Sequence, residues 1–196
     1  MDEKRPKRRK DKDNPYTLSK RQDKHYLSFR DGQGVLRELQ ITKELFEVLN
    51  RFEGYLLNTC AEAKQFVEEV DVPAVKIMLD TFHMNIEEDD MVEAILLAGD
   101  RLGHFHVGEN NRRLPGKGGM PWYQIGSALG AIGYHKNVVM EPFVRSGGGV
   151  GSDIKVWRDL SKGADEQRLD LDAAASVAYL RNVFSGPNSD YTSVLR

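Results

Sequence analysis

The sequence has only one cysteine and no long apolar segment, and each of these features excludes certain classes of protein. Cys60 is the single cysteine among 196 residues, which excludes a disulfide within the chain and a metal site built from several thiolates. No apolar run approaches the roughly 18 residues that a membrane-spanning helix needs. The basic N-terminus is followed by no apolar segment of the kind found in secretory signal peptides. The sequence therefore predicts a globular cytoplasmic protein with no membrane partner.

Positive charge is concentrated at the N-terminus. The formal net charge of the chain is −2. Residues 1–30 hold eleven Lys or Arg and five Asp or Glu, a net charge of +6, so the remaining residues carry −8. Residues 1–16 are a polar basic run that predicts a disordered tail, and residues 187–196 are predicted to form a flexible C-terminal tail. The basic tail is compatible both with an arm that binds nucleic acid and with a solvated segment that has no partner.

Between these tails, the sequence predicts a short β segment and then alternating strands and helices. Residues 17–44 alternate around the turn sequence DGQG, which predicts a β-hairpin. Within residues 45–186, apolar runs predict strands at VKIMLD, LGHFHVG and NVVMEPF, and helical spacing predicts helices over 61–70, 89–102, 121–133 and 170–184. The glycine-rich residues 145–152 are predicted to form a flexible loop. Alternation of this kind is typical of an α/β fold with a parallel sheet covered by helices.

Side chains able to bind a metal or move a proton lie near the ends of the predicted strands: Asp80, His106, Glu141 and Glu47. The periodicity of residues 43–58 predicts an amphipathic helix with Glu47 on its surface, whereas a strand ending at EVLN would place Glu47 beside the other three. The carboxyl ends of parallel strands meet at one edge, so the four side chains could converge there. Three carboxylates and an imidazole favour Mn²⁺, Co²⁺ or Mg²⁺. Spacing alone leaves open an ordinary set of acids near strand ends.

Longer stretches carry a more specific signal: EVLNRFEGYLLNT, VKIMLDTFHMNIEED, LGHFHVGENNRRLPGKG, PWYQIGSALGAIGY and VVMEPFVRSGGGVGSDIKVWRD. They resemble the ketose 3-epimerases, the family of D-tagatose 3-epimerase and D-psicose (D-allulose) 3-epimerase, which have a xylose-isomerase-like TIM (β/α)₈ barrel. The resemblance runs from about Glu47 to Phe184. It implies an isomerase that epimerises ketohexoses such as D-fructose, D-psicose and D-tagatose at carbon 3.

The resemblance also implies a function for seven residues. It implies that the metal, expected to be Mn²⁺, is bound by Glu47, Asp80, His106 and Glu141. It further implies that Glu47 and Glu141 act as the acid/base pair through an enediolate, one on each face of the sugar. The substrate-binding residues that it implies are Glu53, His83 in the loop after VKIMLD, and Arg112 in a glycine-containing loop that could close over the site.

The resemblance covers only the second half of a barrel that typically takes about 250 residues and eight strands. About four β/α units are expected, preceded by some 45 residues that more weakly resemble small sigma-factor-like proteins of Firmicutes mobile elements. Half a barrel exposes two sheet edges, which predicts a homo-oligomer or pairing with a separately encoded barrel half. Epimerase activity of the chain alone is expected to be weak or absent. The alternatives are an inactive fusion fragment and a nucleic-acid-associated regulator that acts through the basic tail.

Overall fold

The computed structural model describes residues 16–31, 33–42 and 44–185, which form two separate sheets, six α-helices and one short 3₁₀ helix, Gly99–Arg101. The first sheet is antiparallel, in the order β1-β2-β3, with strands Tyr16–Arg21, Lys24–Arg30 and Leu36–Ile41. The second is parallel, in the order β4-β5-β6-β7, with strands Leu45–Glu47, Lys76–Asp80, Leu102–Val107 and Val138–Met140. Helices α1 to α6 are Cys60–Val70, Thr81–Glu87, Met91–Ala98, Trp122–Ala131, Gly148–Asp153 and Glu166–Phe184.

The parallel sheet confirms the predicted α/β fold. Its four strands follow one another in sequence order, and at least one helix follows each strand, as in a β/α barrel. Within the described residues the sheet does not close on itself, so it forms part of a barrel with β4 and β7 at its two edges. Gly103 on β6 shows how close the strands lie, because a Cβ there would come within 2.4 Å of Lys76 Cβ on β5.

Glu47 lies at the end of a strand and not on a helix. Leu45 pairs with Lys76 and Glu47 with Met78, in parallel register with β5, and the Val48 amide then donates to the Met78 carbonyl at 3.1 Å. The helix that periodicity alone predicts over residues 43–58 is therefore wrong. Backbone pairing with β5, roughly thirty residues further along the chain, makes this segment a strand. Local apolar spacing gives no information about such pairing.

The core lies between the parallel sheet and its helices. Phe66 on α1 is fully buried and contacts Phe46 on β4, with ring centroids 4.5 Å apart. Helix α1 begins at a capping box in which Thr59 and Glu62 satisfy each other's backbone amides. Two helices were not predicted from sequence. Thr81–Glu87 places His83 on a helix instead of a loop, and Gly148–Asp153 replaces part of the predicted flexible loop.

The N-terminal sheet has three strands, where the sequence predicts a two-stranded hairpin. The additional strand β1 joins β2 through a tight turn at Gln22 and Asp23, whose φ angles of 47° and 59° fit a type I′ hairpin turn. Turns of this type favour Asn and Gly, so the sequence gives little signal for it. Tyr16, assigned to the basic tail from sequence, begins β1 and is only 8% exposed. Its ring contacts Phe66 with centroids 5.0 Å apart.

The rest of the predicted basic tail, residues 1–15, and the predicted C-terminal tail, residues 187–196, lie outside the described residues. In the part of the chain that the structure describes, no helix is both long and apolar enough to cross a membrane.

The thiol of Cys60 provides a test of the packing of α1. Cys60 is fully buried, and burial raises its pKa to about 12. Because thiolate is the reactive form, we expect Cys60 of the folded chain at pH 8 to react with a disulfide reagent such as DTNB orders of magnitude more slowly than a free cysteine. The same chain in denaturant is the control. Rapid stoichiometric labelling of the folded chain would contradict the packing described here.

Candidate metal and sugar site

The carboxyl edge of the parallel sheet brings together side chains from all four strands. Glu47 is the last residue of β4, Asp80 the last of β5, His106 lies one residue before the end of β6, and Glu141 directly follows β7. One potential ligand atom from each residue lies within 4.8 Å of the others. The predicted metal-binding set therefore converges at one point, as expected for residues at the ends of neighbouring parallel strands.

The imidazole of His106 lies at the centre of this cluster. Its Nδ1 is 3.5 Å from Glu141 Oε2, 3.7 Å from Asp80 Oδ2 and 4.0 Å from Glu47 Oε1. These distances exceed those of good hydrogen bonds. Among the described residues, His106 Nδ1 is the one buried side-chain nitrogen or oxygen without a hydrogen-bond partner. A buried polar atom directed at three carboxylates and bonded to none is suited to bind a metal ion together with them.

Asp80 has a second function, because it also caps helix α2. Its Oδ1 accepts hydrogen bonds from the amides of Phe82 at 2.7 Å and His83 at 3.3 Å. This leaves Oδ2 facing His106. The cap therefore fixes the carboxylate with one oxygen directed into the cluster. It also explains why a helix begins immediately after β5.

The cluster perturbs the pKa values of its own members. Burial raises the pKa of Glu47, and the nearby charge of Glu141 raises it further. Burial likewise raises the pKa of Asp80. Burial alone would lower the pKa of His106, but the three carboxylates outweigh it and the pKa is raised. The interaction with His106 lowers the pKa of Glu141. At 3.5 Å, we attribute that effect mainly to charge rather than to a well-formed hydrogen bond.

The donor set suits a hard divalent cation. Three carboxylate oxygens and one imidazole nitrogen are the ligands of Mn²⁺-, Mg²⁺- or Co²⁺-type sites, and no thiolate is near. Ligand atoms about 2.1 Å from a common ion lie roughly 3 to 4 Å apart in octahedral geometry, close to the spacing seen here. Asp80 is almost fully buried, while Glu47 and Glu141 keep 32% and 35% of their side chains exposed. The site is therefore open to a ligand on the side of the two glutamates.

Two of the predicted substrate-binding residues pair with each other. Arg112 Nη2 donates to both carboxylate oxygens of Glu53, at 2.5 and 2.7 Å. The Arg112 guanidinium also lies over the ring of Phe82, 3.6 Å from its centroid, and 5.1 Å from the centroid of Phe143. Contact with two aromatic faces and a carboxylate holds the guanidinium in one place. Arg112 is only 8% exposed, so little of it faces solvent.

The third predicted substrate-binding residue, His83, is linked to Glu53 through Asn50. His83 Nδ1 accepts a hydrogen bond from the backbone amide of Asn50 at 3.2 Å, and the Asn50 side-chain nitrogen lies 2.7 Å from the same atom. The Asn50 amide group also donates to Glu53 Oε1 at 3.0 Å. Burial lowers the pKa of His83, which favours the neutral ring. With Nδ1 as acceptor, its hydrogen lies on Nε2 and is available as a donor.

Sequence reasoning missed two buried polar residues next to this site, Asn50 and Glu109. Asn50 lies in the loop after β4, and no periodic pattern marks it. Glu109 follows β6 by two residues, so the rule that selected acids at strand ends could have found it. That rule does not reveal that its carboxylate accepts hydrogen bonds from loop amides and lies outside the cluster of Glu47, Asp80, His106 and Glu141.

Comparison with known proteins agrees with this geometry. A D-psicose 3-epimerase of Enterocloster bolteae is 57% identical over 155 residues, which cover 76% of this chain and 52% of the relative. A D-psicose 3-epimerase of Agrobacterium fabrum is 61% identical over 140 residues, 71% of this chain and 48% of the relative. A crystal structure of D-psicose 3-epimerase from Clostridium cellulolyticum with D-tagatose superposes with a TM-score of 0.70 at 60% identity, covering 71% of this chain and 48% of that one.

The chain thus spans about half the length of the curated relatives it matches. The resemblance of the N-terminal segment to sigma-factor-like proteins has no support among these findings. A sequence model of the family described as "Xylose isomerase-like TIM barrel" matches residues 34–167. Because that match includes all four parallel strands and the four converging side chains, the chain belongs to the xylose isomerase-like TIM barrel family.

Proposed function

We propose that this chain carries the metal site and the acid/base pair of a ketose 3-epimerase acting on ketohexoses such as D-fructose and D-psicose. The observation that carries the proposal is the convergence of Glu47, Asp80 and Glu141 on the unpartnered Nδ1 of His106. The high identity to D-psicose 3-epimerases over the same residues supports it.

The metal that we propose is Mn²⁺, with Co²⁺ or Mg²⁺ as substitutes. Mn²⁺ accepts an imidazole together with carboxylates, whereas Mg²⁺ prefers oxygen ligands. When bound, such an ion would polarise the ketose carbonyl and the neighbouring hydroxyl, which makes the proton at carbon 3 more acidic.

Glu47 and Glu141 would move the proton at carbon 3. Glu47 ends β4 and Glu141 directly follows β7, and these are the two outermost strands of the sheet, with β5 and β6 between them. This separation supports an arrangement in which one carboxylate lies on each face of a sugar placed over the sheet edge. One glutamate would take the proton from one face, and the other would return a proton to the opposite face of the enediolate.

Glu53, His83 and Arg112 would bind the hydroxyl groups of the sugar. The Nε2 hydrogen of His83 and the Arg112 guanidinium are donors, and the Glu53 carboxylate is an acceptor, so the three together can bind several adjacent hydroxyls. Their mutual contacts through Asn50 would hold them in place before the sugar arrives, which reduces the entropy lost on binding.

The four parallel strands would need four more to close the barrel and complete the pocket. These strands could come from a second copy of the chain, from further sequence or from a separate chain that supplies the first barrel half. Leu45 on the edge strand β4 is 49% exposed and Val139 on the other edge strand, β7, is 40% exposed, which supports a partner at each edge.

Metal binding can be tested by changing two helix caps, of which Asp80 is buried within the cluster and Asp90 is exposed outside it. Asp80 caps α2 and Asp90 caps α3 by the same hydrogen bonds, and asparagine preserves such a cap. We expect Asp80→Asn to weaken Mn²⁺ binding more than about tenfold, and Asp90→Asn to leave it unchanged. Isothermal titration of the metal-free proteins with MnCl₂ measures both. Equal affinity in the two variants would contradict a metal site at Asp80.

The assignment of the acid/base pair can be tested in D₂O. We expect Mn²⁺-loaded protein, combined with the first barrel half of the Agrobacterium fabrum relative, to convert D-fructose in D₂O to D-psicose that carries deuterium at carbon 3. Because inversion at carbon 3 needs a proton removed from one face and a deuteron added to the other, Glu47→Gln and Glu141→Gln should each slow formation of this product by about 10²-fold or more. The control is Glu44→Gln, since the Glu44 carboxylate accepts hydrogen bonds only from Thr42 among the described residues. Unimpaired formation of labelled D-psicose in either site variant would rule out its proposed function.

The need for a barrel partner gives a further expectation. The chain alone should convert D-fructose to D-psicose slowly or not at all, because the pocket walls supplied by the first barrel half are missing. Co-expression with a first barrel half should raise the rate of this conversion. The two chains should also elute as a stable complex in size-exclusion chromatography. Rates for the isolated monomer equal to those of the complex would show that closure is not required.

A further inference from the structure

A second buried carboxylate lies beside the metal and sugar site and takes no part in the metal cluster. Glu109 follows β6 by two residues, and its side chain is completely buried. No Lys, Arg or His forms an ion pair with it within the described ranges. A buried carboxylate without a cation is costly unless several hydrogen bonds replace its hydration. The donors of its hydrogen bonds therefore indicate which parts of the chain this carboxylate stabilises.

Those hydrogen bonds come from one loop and the helix after it. Glu109 Oε1 accepts from the Gly116 amide at 2.7 Å and from the Trp122 indole Nε1 at 2.8 Å. Oε2 accepts from the Met120 amide at 3.1 Å. Trp122 is the first residue of α4 and is nearly fully buried. The carboxylate therefore joins the far end of the loop, residues 110–121, to the fixed start of a helix.

The backbone of Glu109 holds the near end of the same loop. Its carbonyl accepts from the Arg112 amide at 2.9 Å, and its own amide donates to the Arg113 carbonyl at 3.1 Å. This tight turn places Arg112 at φ 62°, a left-handed conformation that a non-glycine residue adopts only when its surroundings require it. The Arg112 carbonyl then accepts from the Phe143 amide at 2.9 Å, which ties the turn to the segment after Glu141.

We propose that Glu109 is the positioning residue for Arg112. Its carboxylate fixes loop 110–121 so that the strained turn at Arg112 persists and the guanidinium stays between Glu53 and the Phe82 ring. This inference deepens the proposed function, on which its significance for sugar binding rests. The positioning itself is a property of the chain without metal or sugar.

The chemistry of the contact requires a carboxylate. Three N–H groups point at two oxygens, and a carboxylate is acceptor-only. In Glu109→Gln one oxygen becomes an NH₂ donor, which would face either the Met120 amide or the Gly116 and Trp122 donors. Gly118 gives an independent perturbation, because a Cβ at that position would lie 2.4 Å from Glu109 Oε2 and 2.7 Å from Asn110 Oδ1. Gly118→Ala therefore displaces the Glu109 carboxylate, together with the Asn110 side chain, without changing its charge.

The guanidinium resonances of Arg112 in ¹⁵N-labelled full-length chain provide the test, since they require neither metal nor turnover. They are identified by their absence in Arg112→Lys. In the unaltered chain we expect them to be shifted by the Phe82 ring and slow to exchange with water. We expect both Glu109→Gln and Gly118→Ala to move them to the positions of exposed arginines such as Arg158. The matched control is Glu62→Gln. Glu62 also accepts hydrogen bonds from two backbone amides, those of Asn58 and Thr59.

Thermal unfolding of the same samples separates a local effect on the position of Arg112 from a general loss of stability of the fold. Shifted Arg112 resonances in a variant that still unfolds cooperatively, with unchanged resonances in Glu62→Gln, would support the proposal. Unchanged Arg112 resonances in Gly118→Ala would overturn it, as would an equal shift in Glu62→Gln. If Glu109→Gln does not fold, Gly118→Ala alone decides. A failed epimerase assay would leave this result intact, so the two proposals can fail separately.

Discussion

Repulsion among three carboxylates at one sheet edge is the constraint on which the site depends. Unit charges about 4 Å apart repel by about 4 kcal/mol where the effective dielectric constant is near 20, which is more than a surface salt bridge returns. Glu47, Asp80 and Glu141 surround one unpartnered imidazole nitrogen, and a single protonated histidine cannot balance all three. A divalent cation would remove the repulsion and satisfy His106 together. The same edge then becomes a place where a sugar carbonyl can be polarised.

Around that edge, some residues of the candidate site also stabilise the secondary structure. Asp80 is both a cluster member and the cap of α2, and α2 carries Phe82 and His83. Phe82 supports Arg112, which pairs with Glu53, and Glu53 is linked back to His83 through Asn50. The residues proposed to bind the sugar are therefore connected to the carboxylate cluster by a short series of contacts. A change at Asp80 would affect both.

The predictable parts of the fold are those in which local pattern and tertiary structure agree. Apolar runs located β5, β6 and β7, and helical spacing located α1, α4 and α6. The pattern failed at Leu45–Glu47, since only pairing with β5 makes that segment a strand. It also failed at Thr81–Glu87, where a cap begins a helix too short to show periodicity. Asp80, His106 and Glu141 followed from their strand ends, and Glu47 from the family resemblance. Asn50 and Glu109 act through contacts across loops that no spacing encodes.

Half of a barrel can still carry the whole proposed metal-binding set, because all four residues lie at the ends of consecutive strands of one parallel sheet. The most direct test is a crystal structure of the Mn²⁺-loaded chain with anomalous diffraction data. We expect one strong anomalous peak about 2.2 Å from His106 Nδ1 and from an oxygen each of Glu47, Asp80 and Glu141. A fully loaded crystal with its anomalous peak elsewhere, or with His106 turned away from the ion, would contradict a metal-dependent site at this sheet edge.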